Sequence, residues 1–205
     1  MLKLSKKKII GITGTMGSGK SQVGKILSEQ YPVLDCDKVN AELLLPNHQG
    51  FEKLKERKLI KLDEDGYLDK KQLSFDMFQD KMIKKEVENI LHPLIFQEMN
   101  AWIENQKDGL IFVEMPLLFE IGAQEHFDSI WCVITKRSIA LERLTRYRHI
   151  DVQEAMKRIT TQMSEEKKTS LSDFVICNNG TLKELKQTIM QMAEKEKSWN
   201  WNRII

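Results

Sequence analysis

The segment Gly14-Thr15-Met16-Gly17-Ser18-Gly19-Lys20-Ser21 reads G-x-x-x-x-G-K-S, and it constrains this chain more than any other. The apolar run Ile9 to Thr13 precedes it, and Val23, Ile26, Leu27 and Tyr31 follow at helical spacing, so the sequence predicts a buried parallel strand, a tight loop and a helix in that order. Glycines at 14, 17 and 19 let the backbone turn and bring its N–H groups close to phosphate oxygens, which side chains would block. Lys20 then supplies a compact cation for the β- and γ-phosphates, Ser21 a hydroxyl for Mg²⁺, and the helix its positive N-terminal end. The nucleotide-contacting set expected from the motif is Gly14 through Ser21 with Gln22.

A loop of this kind needs a sheet behind it. Leu110-Ile111-Phe112-Val113, Ile130 to Ile134 and Phe174 to Cys177, with Pro32-Val33-Leu34 and the first run, give five predicted interior strands. The expected fold is therefore α/β, a five-stranded parallel sheet flanked by helices. Val152, Ala155, Met156, Ile159 and Met163 share one helical face, opened by Asp151 with Glu154 three residues on. Gly180 followed by Thr181 and Glu184 marks a capping box at the start of a last helix running towards Lys195.

Residues 51–105 carry charge and helical spacing but no strand pattern, which predicts a helical insertion into a core of 1–50 and 106–205. Pro93 lacks an N–H and disfavours helix at His92, so a helix boundary is expected there. At 205 residues with a net charge of +2, the chain suits one domain with appendages, and nothing in its charge demands nucleic acid. Cys36, Cys132 and Cys177 are far apart and fit neither a disulfide framework nor a zinc spacing, so reduced thiols and a cytoplasmic location are expected. No apolar run suggests a leader or a membrane span. Trp199 and Trp201 are expected to anchor the terminus by packing.

Asp35-Cys36-Asp37 follows the second strand, at the carboxyl edge where open α/β sheets bind ligands. Carboxylates there, with ordinary pKa values near about 4, are charged at neutral pH. Asp37 is placed to orient an acceptor hydroxyl and Asp35 to help hold Mg²⁺ through water; solvated turn aspartates are the alternative. Glu114 to Glu120, enclosing Pro116-Leu117-Leu118-Phe119, reads as a pocket wall or as apolar core. Arg143 and Arg146 share a helical face, with Arg148 and Arg158 nearby. They suit phosphate contacts in a closing lid of about 140–165, or a solvated face.

Together these residues resemble the dephospho-CoA kinase family over nearly the whole chain: the loop from Ile12 to Ser21, Asp35-Cys36-Asp37, Leu91-His92-Pro93-Leu94-Ile95, Pro116 to Glu120, Arg158-Ile159 with Gln162, and Val175 to Gly180. The resemblance implies a core, a helical substrate-side insertion and a lid, and transfer of the ATP γ-phosphoryl group to the ribose 3′-hydroxyl of dephospho-CoA. It casts Asp37 as the acceptor-activating aspartate, and Lys20 and Ser21 as phosphate and Mg²⁺ residues. Arg143 becomes a lid arginine and Asn178 a residue near adenine. His92, Pro116, Leu117, Leu118 and Glu120 line the acceptor site in this reading, and a monomer is favoured. The chain departs from the family at Ala41, where a cation is common, and at Tyr147, the place of a second lid arginine. Arg146 and Arg148 stand on either side of Tyr147 and either is a replacement for it; Arg146 is counted among the residues expected to meet ATP. Glu114 stands for an aspartate and Gln22 for a threonine. Another nucleoside or nucleotide kinase is the alternative within enzymes. A nucleotide-dependent switch is the alternative outside them, although Asp63-Glu64-Asp65-Gly66 matches D-x-x-G without a strand before it.

Overall fold

A computed structural model describes residues 7–198 apart from 108 and 148; Arg148, Trp199 and Trp201 lie outside the described residues. The chain divides into two compact units, one of Met1–Asp35 with Gln106–Ile205 and one of Cys36–Asn105.

The first unit is built on five parallel strands: β1 (Lys7–Gly14), β2 (Val33–Asp35), β3 (Gly109–Glu114), β4 (Ser129–Ile134) and β5 (Phe174–Cys177), in the spatial order β2-β3-β1-β4-β5. Each run of β-branched and aromatic residues predicted as a strand is one. The register sets Ile12 beside Glu114 on one side and Trp131 on the other, and Asp35 beside Glu114. Three strand ends thus deliver Gly14, Asp35 and Glu114 to one carboxyl edge. Helices α1 (Lys20–Leu27), α6 (Arg137–Glu142), α7 (Val152–Thr161), α8 (Glu165–Ser170) and α9 (Leu182–Ser198) belong to the same unit.

Its main core joins Ile10, Ile12, Phe112, Trp131, Val133 and Ile176 of the sheet to Val23 and Leu27 of α1 and Ile189 of α9. Tyr31, Phe112 and Trp131 meet edge to face, with centroids 5.4 and 5.2 Å apart; each such contact adds about 0.5–1.5 kcal/mol beyond area burial. Both predicted caps form. Asp151 Oδ1 accepts from the N–H groups of Gln153 and Glu154 at the start of α7. Thr181 and Glu184 exchange bonds ahead of α9, with Thr181 N–H on Glu184 Oε2 at 2.7 Å. That bond holds the Glu184 carboxyl below its ordinary range.

The second unit holds α2 (Cys36–Leu43), α3 (Gln49–Glu56), α4 (Lys70–Gln79) and α5 (Lys81–Glu104). It has its own core of Phe51, Leu54, Leu68, Leu73, Val87 and Leu91. The helix boundary expected at His92 is absent, since α5 runs unbroken through Pro93. Val87, Leu91 and Leu94, at i, i+4 and i+7, are all buried on the helix's inner side. Each is worth about 1.5–3 kcal/mol, which together outweighs the roughly 3 kcal/mol cost of an interior proline. Asp63-Glu64-Asp65-Gly66 forms a tight turn: Asp63 Oδ1 accepts from the N–H groups of Asp65 and Tyr67, and Gly66 has φ +83°. An aspartate spent on closing a turn supports no switch reading.

Candidate active site

The glycine loop leaves β1 and enters α1 through backbone angles that only glycine adopts readily. Gly14, Gly17 and Gly19 have φ of +147°, +80° and +96°, and a Cβ on them would strike the Val133 carbonyl, the Ala140 backbone and the Asn178 carboxamide respectively. With this path the Ser18 N–H turns back to Thr15 O at 3.2 Å, while the N–H groups of Gly17, Gly19 and Ser21 meet no acceptor among the described residues. The Ser18 hydroxyl is buried and likewise without a partner. The buried hydroxyl costs free energy unless a partner satisfies it, and several open N–H donors converging at a helix N-terminus suit an anion. Lys20 adds the charge. Its ammonium is buried and reaches back over the loop to Gly14 O and Thr15 O, each at 3.0 Å.

Ser21 Oγ donates to Glu114 Oε1 at 3.0 Å. Glu114, buried at the end of β3 and in register with Asp35, joins these two residues as a hard oxygen set. A hydroxyl and two carboxylates fit Mg²⁺, which keeps waters and takes phosphate oxygens for the rest of its shell. Among the described residues no three of His, Cys, Asp or Glu form a metal site on their own, in keeping with so open a set. From the sequence, Glu114 reads as a flank of the next segment and as a stand-in for a family aspartate, with no metal role assigned to it. Its signal was available in the acidic residue that ends an interior strand beside the loop's strand.

After α6 the helix widens into a π turn over Arg143–Tyr147, and its i→i+5 register parts the two arginines expected on one face. Arg143 sits against the loop, donating to Gly17 O, Ser18 O and Asn178 O at 3.3, 3.1 and 3.1 Å. Arg146 is exposed and paired with Glu142 at 3.3 Å. Asn178, buried at the end of β5, donates from Nδ2 to Ser18 O at 2.8 Å. Arg143 and Asn178 thus grip the back of the cradle, where carbonyls point, and leave its N–H groups to the ligand.

The segment after β3 sorts its apolar residues by depth. Leu118 is fully buried, and a Cβ on Gly11 would touch it and Phe127; Leu117 stays exposed. Pro116 O accepts from Thr13 Oγ1 at 3.1 Å and from Lys168 Nζ at 2.9 Å. Lys168, with no solvent exposure, also pairs with Glu120 at 2.9 Å, so Glu120 serves the segment's own shape. This buried pair was silent in the sequence.

Within the helical unit, Asp37 lies in the first turn of α2, where the helix dipole favours a carboxylate. The same unit holds half-buried His92 on α5. Burial, chiefly, holds the His92 imidazole below its ordinary pKa, with Glu88 opposing and Lys84 reinforcing, so the ring is neutral at pH 7. The cavity of about 400 Å³ in this unit is lined by Lys53, Arg57, Asn89 and Pro93, not by Asp37 or His92.

A family model described as dephospho-CoA kinase matches residues 8–184. The chain belongs to the dephospho-CoA kinase family. A dephospho-CoA kinase of Carboxydothermus hydrogenoformans is 33% identical over 201 residues, covering 95% of this chain and 97% of the relative. Among solved structures, a Thermus thermophilus protein superposes with a TM-score of 0.81 at 29% identity, over 92% of this chain and 97% of its own. Dephospho-CoA kinase from Campylobacter jejuni does so with 0.66 at 25% identity, over 94% and 98%. Membership makes the chain a kinase, an ATP-dependent phosphotransferase, and the cradle, Ser21–Glu114 and Asn178 lie within the matched span. No helix among the described residues is long and apolar enough to cross a membrane.

Proposed function

We propose that the protein transfers the γ-phosphoryl group of ATP to the ribose 3′-hydroxyl of dephospho-CoA, giving CoA and ADP. The observation that carries the donor half is the cradle: open N–H groups on Gly17, Gly19 and Ser21, with the Lys20 ammonium folded over the loop. Family membership supports the acceptor half.

Phosphoryl transfer passes through a loose transition state, so the protein's work is to place two oxygens in line and to neutralise charge. The loop N–H groups and Lys20 bind the β- and γ-phosphates. Asp37 accepts a hydrogen bond from the 3′-hydroxyl and takes its proton late in the transfer, while Pro116, Leu117 and neutral His92 line the acceptor, with Leu118 and Glu120 shaping that wall from beneath. Ser21, Glu114 and Asp35 would hold Mg²⁺, in part through its waters, and the ion would supply charge neutralisation for the phosphoryl group. Arg143 and Asn178 keep the loop's carbonyls turned outward near the adenine end. Arg146, whose exposed pair with Glu142 is worth at most about 1 kcal/mol, gives up that pair for a phosphate oxygen. The protein acts in the cytoplasm as a monomer.

The decisive experiment follows ADP release from Mg-ATP with and without dephospho-CoA while CoA is detected by mass. ADP formation that depends on the acceptor, matched by CoA, is the expected result; ATP binding without CoA would move the acceptor assignment elsewhere. Asp37→Asn is expected to lower turnover by about 10²- to 10⁴-fold with ATP affinity kept, and near-normal turnover would remove Asp37 from the mechanism.

A further inference from the structure

The C-terminal end of α7 reaches in two directions through consecutive residues. Gln162, the residue that caps the helix, accepts from the Met16 N–H through Oε1 at 3.0 Å. Met163 donates its own N–H to Glu120 Oε1 at 3.1 Å, and that same oxygen is paired with buried Lys168. One helix end therefore joins the glycine loop to the segment that follows β3.

Within the loop the Met16 N–H stands apart. The Ser18 N–H is used inside the loop and those of Gly17, Gly19 and Ser21 are open, while Met16 is held by a side chain 146 residues away. A backbone N–H can only donate, which fixes the carboxamide with Oε1 towards the loop and leaves Nε2 with two donors. Neither donor meets an acceptor among the described residues. The position along the loop identifies what they meet. The Lys20 ammonium, the group that reaches the β- and γ-phosphates, is bonded to Thr15 O, next to Met16. The half-buried carboxamide therefore stands at the terminal-phosphoryl end of the cradle, and it is a neutral donor there.

We propose that Gln162 is a γ-phosphoryl contact that distinguishes ATP from ADP: Oε1 keeps the Met16 N–H and Nε2 donates to an oxygen of the terminal phosphoryl group. The end of α7 is thereby drawn onto the triphosphate, and through Met163 and Glu120 the occupied donor site steadies the neighbouring segment. This rests on the reading of the cradle as an ATP site.

The test compares binding of a non-hydrolysable ATP analogue and of ADP, both with Mg²⁺, to the full chain and to Gln162→Glu and Gln162→Asn by calorimetry. Gln162→Glu keeps an acceptor for Met16 but turns the donors into negative charge. It is expected to weaken the triphosphate analogue by about tenfold or more, the low end of what a hydrogen bond to a charged group is worth, with ADP changed by less than about twofold. Gln162→Asn, one methylene shorter, is expected to show the same selectivity with a smaller loss. Equal losses for both nucleotides, with a lowered unfolding midpoint, would make Gln162 a structural clamp and overturn the inference. So would unchanged selectivity in both variants. Wild-type protein that bound neither nucleotide would overturn the ATP reading and this inference together.

Discussion

The glycine loop and the Pro116–Glu120 segment leave neighbouring strands of one sheet, yet they hold their shapes by opposite means. The loop is set by backbone: three glycines at positive φ, with carbonyls turned outward onto Arg143 and Asn178. The segment is set by one buried side chain, Lys168, which binds a carbonyl at its start and a carboxylate at its end. The first device is compact in sequence and tolerates no side chain at its turns. The second joins residues 52 positions apart and depends on a charge being matched out of water.

The largest effect should follow from breaking the backbone device. Gly19→Ala forces a positive φ on a side chain and drives its Cβ into Asn178, a strain of about 1–3 kcal/mol that turns the loop N–H groups away from their ligand. Mg-ATP affinity measured by calorimetry is expected to fall by more than about 100-fold. Retention within tenfold would show that side chains, not the backbone path, shape the cradle.

Lys168→Met tests the other device. Leaving Glu120 without its buried partner costs about 3 kcal/mol, which for a chain of this size lowers the thermal midpoint by roughly 6–12 °C. Lys168→Met with Glu120→Gln is expected to recover part of that loss, because the stranded charge is gone. An equal or larger loss in the double variant would mean that packing of the lysine stem, not its charge, holds the segment.

A smaller effect sharpens the comparison from inside the sheet. Burial pushes the Cys132 thiol up to about 11, against a pull downward from Lys168. Because the folded thiol keeps its proton longer than the unfolded one, stability is lost as pH rises from about 9 towards 11. Chemical denaturation at pH 8 and 10.5 should show this decline in the wild type and a shallower one in Cys132→Ala. In Lys168→Met the thiol should ionise at still higher pH, seen by its ultraviolet absorbance; an unchanged titration would place the ammonium's field elsewhere. Smallest of all, Glu142→Gln should change stability by less than about 1 kcal/mol, since its pair with Arg146 lies in solvent.

These differences mirror what could be read in advance. The loop, the five strands, the caps at Asp151 and Thr181 and the helical character of the insertion were legible because each is dictated by residues within one turn or one strand. The continuation of α5 through Pro93 was not, because the local rule that stops a helix was overridden by Val87, Leu91 and Leu94 packing on both sides of it. The π turn at Arg143–Tyr147 was hidden for a related reason: nothing local separates it from an α-helix, and it became visible only with Arg143 seated on the loop's carbonyls. Lys168 reads as an ordinary member of a charged stretch, and Gln162 stands out only through the family resemblance, with no role attached to it. Their importance lies in partners more than 45 residues away.

The order of strands in the sheet also has a consequence for synthesis. β1 is made first and lies at the sheet's centre, but its partners β3 and β4 begin only at Gly109 and Ser129. At roughly 5–20 residues per second, a ribosome needs on the order of five to twenty seconds to deliver them. Through that interval Ile9, Ile10 and Ile12 are an unpaired apolar edge, while the helices of Cys36–Asn105, rich in contacts between near neighbours, have time to assemble on their own. The nascent chain therefore passes through its most aggregation-prone state with its phosphate loop already synthesised and nothing yet available to hold it in shape.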